Sequence, residues 1–433
     1  MMSLKRLPRK VVLTGGTLYD PYRRKTYPGE VLIVNGKIRS LKGSLVADNV
    51  TSIDCQGLVI APGFCDLHAH FREPGREDQE TLETGSQAAL GGGFTRVCVM
   101  PNTTPPLDTP EAIRYVVEKG STSPIYIHPV GAITKGQEGV ELTEMGAMVA
   151  EGAIAFSDDG VPLTRGQVMR RALEYASMYG VPIINHAEDP CLRDSGVMNE
   201  GPVATRLGLP GNPVQAETTM IYRDLELSRL CQARLHVPHV TAAGAVELIG
   251  NYKAQGVPVT AEVTPHHLYF NDTALQTYDT NLKVAPPIRS EAHRKALIQA
   301  VRAGVIDCLA TDHAPHTIED KETTFDQATF GMIGLESCFG VVNKVLGQEG
   351  QLTLMDLVTL LAVAPRKIMA LEADLLRVGQ PVELVVLDPE KEWVFRRDDI
   401  HSRSQNSPFI GHTLRGRPVY TLVKGWLAEI VGA

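Results

Sequence analysis

A histidine pair two residues apart is the first pattern in the chain that could do chemistry. His68 and His70 belong to the apolar segment FCDLHAHF, which is typical of a buried strand. Side chains two apart in a strand point to the same face, so both imidazoles can approach one metal ion. Taken alone the pair is a weak signal, because two partly buried histidines with ordinary hydrogen bonds give the same pattern.

Further histidines and aspartates occur where later apolar segments end. They are Asp158 and Asp159 in SDDG, His186 in IINHAED, His239 in HVPHVT and Asp312 in ATDHAPH. One of the two adjacent aspartates could bridge two ions, but strand alternation turns only one inward and does not say which. If these segments meet, four histidines and two aspartates surround one point. Such ligands favour zinc first, with manganese, cobalt and iron as alternatives.

A second group of side chains could hold an anion beside such a centre. Arg72 carries a planar guanidinium that suits a carboxylate, Asn102 offers an amide donor, and His316 offers an imidazole. Each residue alone is better explained as a loop cap or a surface ion pair. Together they predict a clamp for a substrate carboxylate.

Other polar residues near these segments receive structural interpretations. His236 is three residues before His239 and faces the other way in a regular strand, so we expect it to be structural. His266 and His267 are adjacent, so at most one points inward, and we assign both to packing or to support of the ligands. Residues 317–330 form a long polar loop, which is either a lid or a plain surface connection.

The order of the predicted elements explains how these residues could meet. In the middle of the chain, strand-like apolar segments alternate with amphipathic helical ones. The eight strands are expected to end near His70, Met100, Val130, Ser157, His186, His239, Val263 and Asp312. Eight such units match an α/β protein with a (β/α)₈ barrel, whose active sites lie at the carboxyl ends of the strands. A doubly wound open sheet is the alternative, but Gly91-Gly92-Gly93 is not its G-x-G-x-x-G turn.

Three of the predicted helices have recognisable ends. They are expected between Thr164 and Gly180, between Thr241 and Gly256, and between Ser290 and Gly304. Thr164 and Gln167 have the spacing of a capping box, and glycine commonly ends a helix. In the second helix, Ala245, Leu248, Ile249 and Tyr252 fall on one face, which predicts that this face is buried.

The two ends of the chain share a different pattern. Residues 1–62 and 373–433 contain short β-branched runs separated by Gly and Asn-Gly turns, which predicts hairpins. Neither end is long enough to bury a core alone. We therefore expect one small β-sandwich built from both termini, with a metal-dependent catalytic barrel at 63–372 between its two parts.

Composition excludes several classes of protein. The 433 residues carry a formal charge of −8 at pH 7, which argues against a general nucleic-acid binder. No apolar run approaches the ~18 residues that span a bilayer, and the basic N-terminus lacks the apolar core of a secretory signal. Seven cysteines without a C-x-x-C pair predict reduced thiols in the cytoplasm and exclude a cysteine zinc site.

In combination the motifs resemble the dihydroorotases of the long bacterial type, within the amidohydrolase superfamily. The resemblance runs from about residue 10 to 425 and rests on DLHAHFREPG, MPNTTPP, AFSDDG, NHAED, HVTAAGAVELI, VTPHHL and ATDHAPHT. It implies the barrel and the sandwich described above. It also implies a cyclic amide hydrolase with a small-molecule substrate. The expected reaction is the reversible, zinc-dependent cyclisation of N-carbamoyl-L-aspartate to L-dihydroorotate in de novo pyrimidine synthesis.

The resemblance also implies roles for single residues. The implied metal ligands are His68, His70, Asp159, His186, His239 and Asp312, which would hold two Zn²⁺ per subunit. Asp159 would bridge the ions, and Asp312 would also act as the catalytic base and acid. The implied substrate-binding residues are His70, Arg72, Asn102, His316, Phe330 and Gly331, the last two through their backbone. Many relatives have Asn where this chain has Ala285, so one side-chain contact is absent or is made by backbone.

Two other functions remain as alternatives. A hydantoinase- or allantoinase-like cyclic amidase would usually carry a carbamylated lysine as the bridge, but this chain has no lysine between residues 136 and 252. A non-catalytic partner of aspartate transcarbamoylase would typically have lost metal ligands, and all six are present. An active enzyme could still need that transcarbamoylase, and it could form a homo-oligomer.

Overall fold

The computed structural model describes residues 2–41 and 50–430, in which strands and helices alternate through the middle of the chain. The strands are β1 (Met2–Arg6), β2 (Lys10–Thr14), β3 (Thr17–Asp20), β4 (Lys25–Pro28), β5 (Val31–Val34), β6 (Lys37–Ser40), β7 (Thr51–Asp54), β8 (Val59–Pro62), β9 (Phe64–Ala69), β10 (Phe94–Val99), β11 (Tyr126–Pro129), β12 (Phe156–Ser157), β13 (Ile183–Ile184), β14 (Met198–Asn199), β15 (Gly211–Asn212), β16 (Leu235–Val237), β17 (Val259–Val263), β18 (Cys308–Leu309), β19 (Glu383–Val394), β20 (Thr413–Val423) and β21 (Trp426–Ile430).

The helices fall mostly between the strands of the middle region. They are α1 (Leu82–Gly91), α2 (Pro110–Ser121), α3 (Met145–Ala150), α4 (Gly166–Ser177), α5 (Pro190–Arg193), α6 (Pro202–Leu207), α7 (Val214–Cys231), α8 (Ala243–Ala254), α9 (Pro265–Tyr269), α10 (Glu291–Arg302), α11 (Ile318–Lys321), α12 (Cys338–Lys344), α13 (Leu354–Val358) and α14 (Ala364–Ile368). Within the described ranges, no helix combines the length and the apolar character that crossing a bilayer requires.

Eight of the strands form a closed parallel barrel. They pair in chain order, from β9 to β11 and from β12 through β13, β16 and β17 to β18. Two parallel bridges join these sheets, Gly131 with Phe156 and Ala69 with His313. The carboxyl ends of all eight strands therefore open on one face, as in other (β/α)₈ barrels. The predicted fold class is confirmed.

The strand ends predicted from the sequence agree with the structure to within three residues. Strand β12 ends at Ser157 as predicted, and the largest difference is at β18, which ends at Leu309 instead of near Asp312. These strands are short because the chain bends away at their carboxyl ends, so the polar residues there lie in the loops of the barrel mouth.

The three predicted helices are present as α4, α8 and α10, but two of the expected caps are wrong. Arg165 is the N-cap of α4 and makes no side-chain capping bond, while the carbonyl of Thr164 accepts from Arg223. Ala242 is the N-cap of α8, and the hydroxyl of Thr241 bonds the carboxylate of Glu217 instead. Contacts with α7 thus replace the local caps. On the apolar face predicted for α8, Ala245, Ile249 and Tyr252 are buried and Leu248 is half-buried.

Both termini contribute strands to one sandwich. Its larger sheet has the order β1-β21-β20-β19-β8-β3-β4, and its smaller sheet has the order β6-β5-β2-β7. Apolar side chains from both termini fill the space between the sheets, among them Leu13, Ile33, Leu384 and Leu422. We propose the boundaries 1–62, 63–372 and 373–433 for the two sandwich parts and the barrel.

Arg366 links the barrel to the sandwich from a fully buried position on α14. Its guanidinium donates to the carbonyl of Gly63 at 2.7 Å and to the hydroxyl of Thr95 at 2.9 Å. It also pairs at 3.1 Å with Glu383 of β19, which pairs in turn with Arg96. Removing one partner of a buried ion pair is costly because it leaves polar groups without partners.

We expect Arg366→Met to lower the free energy of unfolding by about 3 kcal/mol, since methionine keeps the volume but none of the bonds. Urea unfolding checks this value. Arg171→Met is the matched control, because Arg171 is exposed and loss of its surface ion pair with Glu174 should leave the free energy of unfolding nearly unchanged. A loss below about 1 kcal/mol in the Arg366 variant would mean that Arg96 alone satisfies Glu383.

Candidate metal centre

Four histidine rings surround one aspartate at the carboxyl end of the barrel. Asp159, which follows β12, has its carboxylate oxygens 3.4 Å from His68 Nε2 and 3.5 Å from His70 Nε2. On the other side, His186 Nδ1 and His239 Nε2 lie 3.7 Å and 3.6 Å from Asp159 Oδ1. All five side chains are buried. The structure thus brings together five residues that are far apart in the sequence.

Asp312 joins this cluster from the loop after β18. Its Oδ1 lies 3.1 Å from His70 Nε2 and 3.6 Å from His68 Nε2. His68, His70 and Asp312 form one group whose possible ligand atoms lie within 4.8 Å of one another, and His68, Asp159 and His239 form a second such group. The two groups share His68, so the cluster is continuous.

The unpaired atoms of the cluster fit a metal ion. His68 Nε2 and Asp159 Oδ1 are buried and have no hydrogen-bond partner among the residues that the structure describes, although buried polar atoms nearly always have one. His186 Nδ1 and His239 Nε2 face each other at 3.0 Å. Imidazole nitrogens and carboxylate oxygens in this arrangement are the ligands that zinc and similar ions take.

The structure distinguishes the two adjacent aspartates that strand alternation left open. Asp158 points away from the histidines, and its Oδ1 accepts from the backbone N–H of Ile133 at 2.8 Å and of Thr134 at 3.1 Å. Burial raises the pKa of Asp158 to about 6, against the effect of these bonds. Asp158 therefore holds the loop after β11, and Asp159 is the carboxylate that faces the histidines.

Three residues of the site have a left-handed backbone. The φ angles are +58° at Arg72, +34° at His239 and +49° at Asp312. Such conformations cost roughly 1–3 kcal/mol for a residue other than glycine, and they concentrate at functional sites where the surrounding fold holds them. Nothing in the local sequence predicted them.

Glu262 of β17 is a supporting residue that the sequence analysis missed. Its Oε1 accepts from His68 Nδ1 at 2.9 Å, and its Oε2 accepts from His236 Nε2 at 3.0 Å. The first bond leaves His68 Nε2 free to face the cluster, which is how carboxylates commonly orient metal-binding histidines. The second gives His236 the structural position expected of it. A lone glutamate in the apolar strand VTAEV was the signal that could have revealed Glu262.

We expect Glu262→Gln to weaken metal binding about 10- to 100-fold, because an amide orients His68 less strongly and removes a negative charge. Competition with a coloured zinc chelator measures the change. Glu392→Gln, at an exposed position of β19, is the control and should leave metal affinity unchanged. Unaltered affinity in the Glu262 variant would contradict this supporting role.

Arg72, Asn102 and His316 line a cavity of about 200 Å³ above the cluster. Arg72 Nε donates to the carbonyl of Pro315 at 3.2 Å, which holds the guanidinium in place. Asn102 Oδ1 accepts from His70 Nδ1 at 2.8 Å, so its amide nitrogen is the group left for a ligand. The three residues predicted as a clamp therefore share one wall of the cavity.

The clamp carries one positive charge at neutral pH. Burial lowers the pKa of Arg72 to about 10, which leaves the guanidinium protonated. Burial, helped by Arg72, lowers the pKa of His316 to about 2, so this imidazole is neutral. His316 Nε2 donates to the carbonyl of Phe330 at 2.7 Å. His316 is thus a neutral donor. Its hydrogen bond to the carbonyl of Phe330 must break before Nε2 can donate to a substrate carboxylate.

The loop that carries Phe330 and Gly331 is tied down by two lysines. Lys321 Nζ donates to the carbonyls of Thr329 and Gly331, both at 2.8 Å. The N–H of Gly331 donates to the carbonyl of Lys283 at 2.8 Å. Burial lowers the pKa of Lys321 to about 7. Whether residues 317–330 act as a lid stays a prediction.

His266 and His267 do not line the cavity. His267 Nε2 donates to the carbonyl of Pro286 at 3.0 Å, and its Nδ1 lies 2.8 Å from the hydroxyl of Thr264. Burial lowers the pKa of His266 to about 4. Both positions fit the packing role assigned to these residues.

Solved structures of cyclic amidases share the whole architecture. An L-hydantoinase from Arthrobacter aurescens superposes with a TM-score of 0.86 at 25% identity, covering 96% of this chain and 95% of that one. A dihydropyrimidinase from Brevibacillus agri superposes with a TM-score of 0.84 at 22% identity, covering 96% and 94%. Both comparisons support the barrel with its appended sandwich.

Sequence relatives are closer. A Dihydro-orotase-like family profile matches residues 57–244. A dihydroorotase from Solibacter usitatus is 42% identical over 96% of this chain and 97% of its own length. One from Caldanaerobacter subterraneus is 40% identical over 96% of each chain. Another, from Geobacter sp. strain M21, is 41% identical over 98% and 100%. With this identity over nearly the full length, and with the site assembled at the barrel mouth, the chain belongs to the dihydroorotase family.

Proposed function

We propose that this chain interconverts N-carbamoyl-L-aspartate and L-dihydroorotate through the site at the mouth of its barrel. The observation that carries the proposal is the position of Arg72, Asn102 and His316 on the wall of a cavity whose floor is the His/Asp cluster. The substrate combines a carboxylate with an amide carbonyl that reacts. The clamp suits the carboxylate, and the metal cluster beside it suits the amide carbonyl.

We propose Zn²⁺ as the resident ion, two per subunit. The residues that would hold the ions are His68, His70, Asp159, His186, His239 and Asp312, with Asp159 between the two positions. Bound there, zinc supplies a Lewis acid for the carbonyl and lowers the pKa of water to about 7.

The protein's own groups would position the substrate and move the proton. Arg72 and His316 bind the carboxylate that does not react, which fixes the ring over the cluster and lowers the entropic part of the barrier. In ring opening, the carboxylate of Asp312 accepts a proton from the attacking water. It then donates that proton to the ring nitrogen as the carbon–nitrogen bond breaks. Ring closure follows the same steps in reverse.

A hydantoinase-like activity is the alternative, because the similar solved structures include hydantoinases. The bridging position argues against it, since Asp159 occupies the centre of the cluster and residues 136–252 contain no lysine. The non-catalytic alternative is disfavoured because all six ligand residues converge.

The test is an ultraviolet assay of L-dihydroorotate hydrolysis on purified, metal-analysed protein. Hydantoin and allantoin serve as competing substrates. We expect the protein to turn over dihydroorotate but not hydantoin or allantoin. A chelator should abolish this turnover, and added zinc should restore it. Preferential turnover of hydantoin or allantoin would overturn the proposal, and so would a lack of turnover in fully metallated protein assayed with aspartate transcarbamoylase present.

We also propose that the protein works in the cytoplasm and can associate with aspartate transcarbamoylase or with copies of itself. All seven cysteines are unpaired, which suits a reducing compartment. Gel filtration with and without the transcarbamoylase, together with the activity assay, tests these associations.

A further inference from the structure

Arg193 faces the cavity, and the proposed mechanism does not use it. It is the last residue of α5 and lines the cavity. Its guanidinium carbon lies 4.9 Å from the centre of the Phe330 ring. One terminal nitrogen lies 3.4 Å from Glu188, but Nε is buried and has no hydrogen-bond partner within residues 2–41 and 50–430. The head group is therefore held in place with donor capacity left over.

The rest of the cavity lining offers few other side-chain donors. The lining residues that are neither metal ligands nor clamp residues are Gly160, Arg193, Ala285, Ala314, Phe330 and Gly331. Of these, only Arg193 has a side-chain donor. The backbone N–H groups of Ala314 and Gly331 already donate to the carbonyls of Met332 and Lys283. Arg193 is therefore the side chain among these residues that can donate to a substrate acceptor.

The substrate has an acceptor that the mechanism leaves without a partner. One carboxylate goes to the clamp, and the reacting carbonyl lies over the cluster. The ureido carbonyl oxygen remains, and an unpaired polar group in a site weakens binding. The guanidinium is a planar donor whose orientation is fixed by the ring of Phe330.

We propose that Arg193 donates to the ureido carbonyl oxygen of the substrate. Arg193 is thus a specificity-determining residue, which favours ureido acids and their cyclic forms over plain dicarboxylates. The assignment rests on the proposed function. The two can be tested separately. Turnover by the unaltered protein tests the proposed function, and variants of Arg193 test only the contact with the ureido carbonyl.

The experiment compares Arg193→Met with the unaltered enzyme and with Arg171→Met, a surface arginine of α4. KM and kcat are measured for N-carbamoyl-L-aspartate, and succinate serves as a competitive inhibitor that lacks the ureido group. We expect KM to rise about tenfold, with kcat within about threefold, because the lost hydrogen bond contributes to binding rather than to the chemical step. The inhibition constant of succinate should change less than about twofold.

A parallel rise for succinate would overturn the proposal, because it would mean that Arg193 acts only through its charge. An unchanged KM would overturn it as well. Metal content and circular dichroism verify that the variant is folded. If Arg193→Met does not fold, Arg193→Lys is used for the same test, since lysine keeps the charge but lacks the planar guanidinium. Its KM should rise at least about threefold with succinate inhibition unchanged.

Discussion

Asp312→Asn is expected to lower kcat for dihydroorotate hydrolysis about 10³-fold while most of the bound metal is retained. Asparagine has the same shape but cannot accept the proton of the attacking water, and general base catalysis contributes about 10²- to 10⁴-fold. The backbone should tolerate the change, because Asp312 has a φ of +49° and asparagine adopts left-handed conformations readily. Steady-state kinetics and metal analysis of the same sample measure both effects.

The matched control is Asp194→Asn, which makes the same change at an exposed aspartate that also has a positive φ, +46°. Its activity should equal that of the unaltered protein. Activity within about tenfold of normal in a metallated Asp312→Asn protein would remove Asp312 from the proton transfer. Loss of most of the metal would instead make Asp312 chiefly a ligand, which would contradict the expected separation of the two roles.

Asp159→Asn is expected to have a comparable effect on activity by a different route. Its carboxylate lies within 3.4–3.7 Å of nitrogens of all four histidines, so it is the group best placed to neutralise two ions at once. An amide has no charge and turns an N–H group toward rings that should act as acceptors. We expect at least half of the metal to be lost and activity to fall about 10³-fold. Metal analysis after gel filtration measures the first effect.

The adjacent aspartate offers the control. Asp158→Asn should keep its metal and most of its activity, because this side chain points to the backbone of Ile133 and Thr134. It should lose about 1–2 kcal/mol of unfolding free energy, since those buried N–H groups would face a weaker acceptor. If the two variants exchanged these outcomes, Asp158 would be the bridge and the assignment would be wrong.

The barrel strands could be predicted because each leaves a local hydrophobic pattern in the sequence. Each barrel strand is an apolar run bounded by a turn, and a run of this kind is visible in the sequence without knowledge of its neighbours. The polar residues that follow the runs, such as His70 and His186, are therefore predicted at strand ends from the sequence alone. The convergence followed from one rule, that parallel strands of a barrel end on the same face.

Helix caps and supporting contacts were harder, because they depend on segments distant in sequence. Thr164 and Thr241 have local sequences suited to capping. In the structure, Arg223 of α7 donates to the carbonyl of Thr164, and the hydroxyl of Thr241 donates to Glu217 of α7. Glu262 and His68 meet across 194 positions of the chain. A capping pattern predicts which side chain can bond the first backbone N–H groups of a helix. Whether that side chain does so depends on the tertiary partners that compete for it.

By itself, the sequence determined the barrel, the sandwich from both ends and the set of side chains at the mouth. Each of these depends on residue type and spacing along short stretches of chain. Strand alternation did not distinguish Asp158 from Asp159, and only the family resemblance implied Asp159. The tertiary structure shows that Asp159 faces the histidines and that Arg193 lines the cavity. Both outcomes depend on which backbone groups of other loops lie close enough to bond, such as those of Thr134 and Gly331. The order of residues along the chain does not give these distances in space.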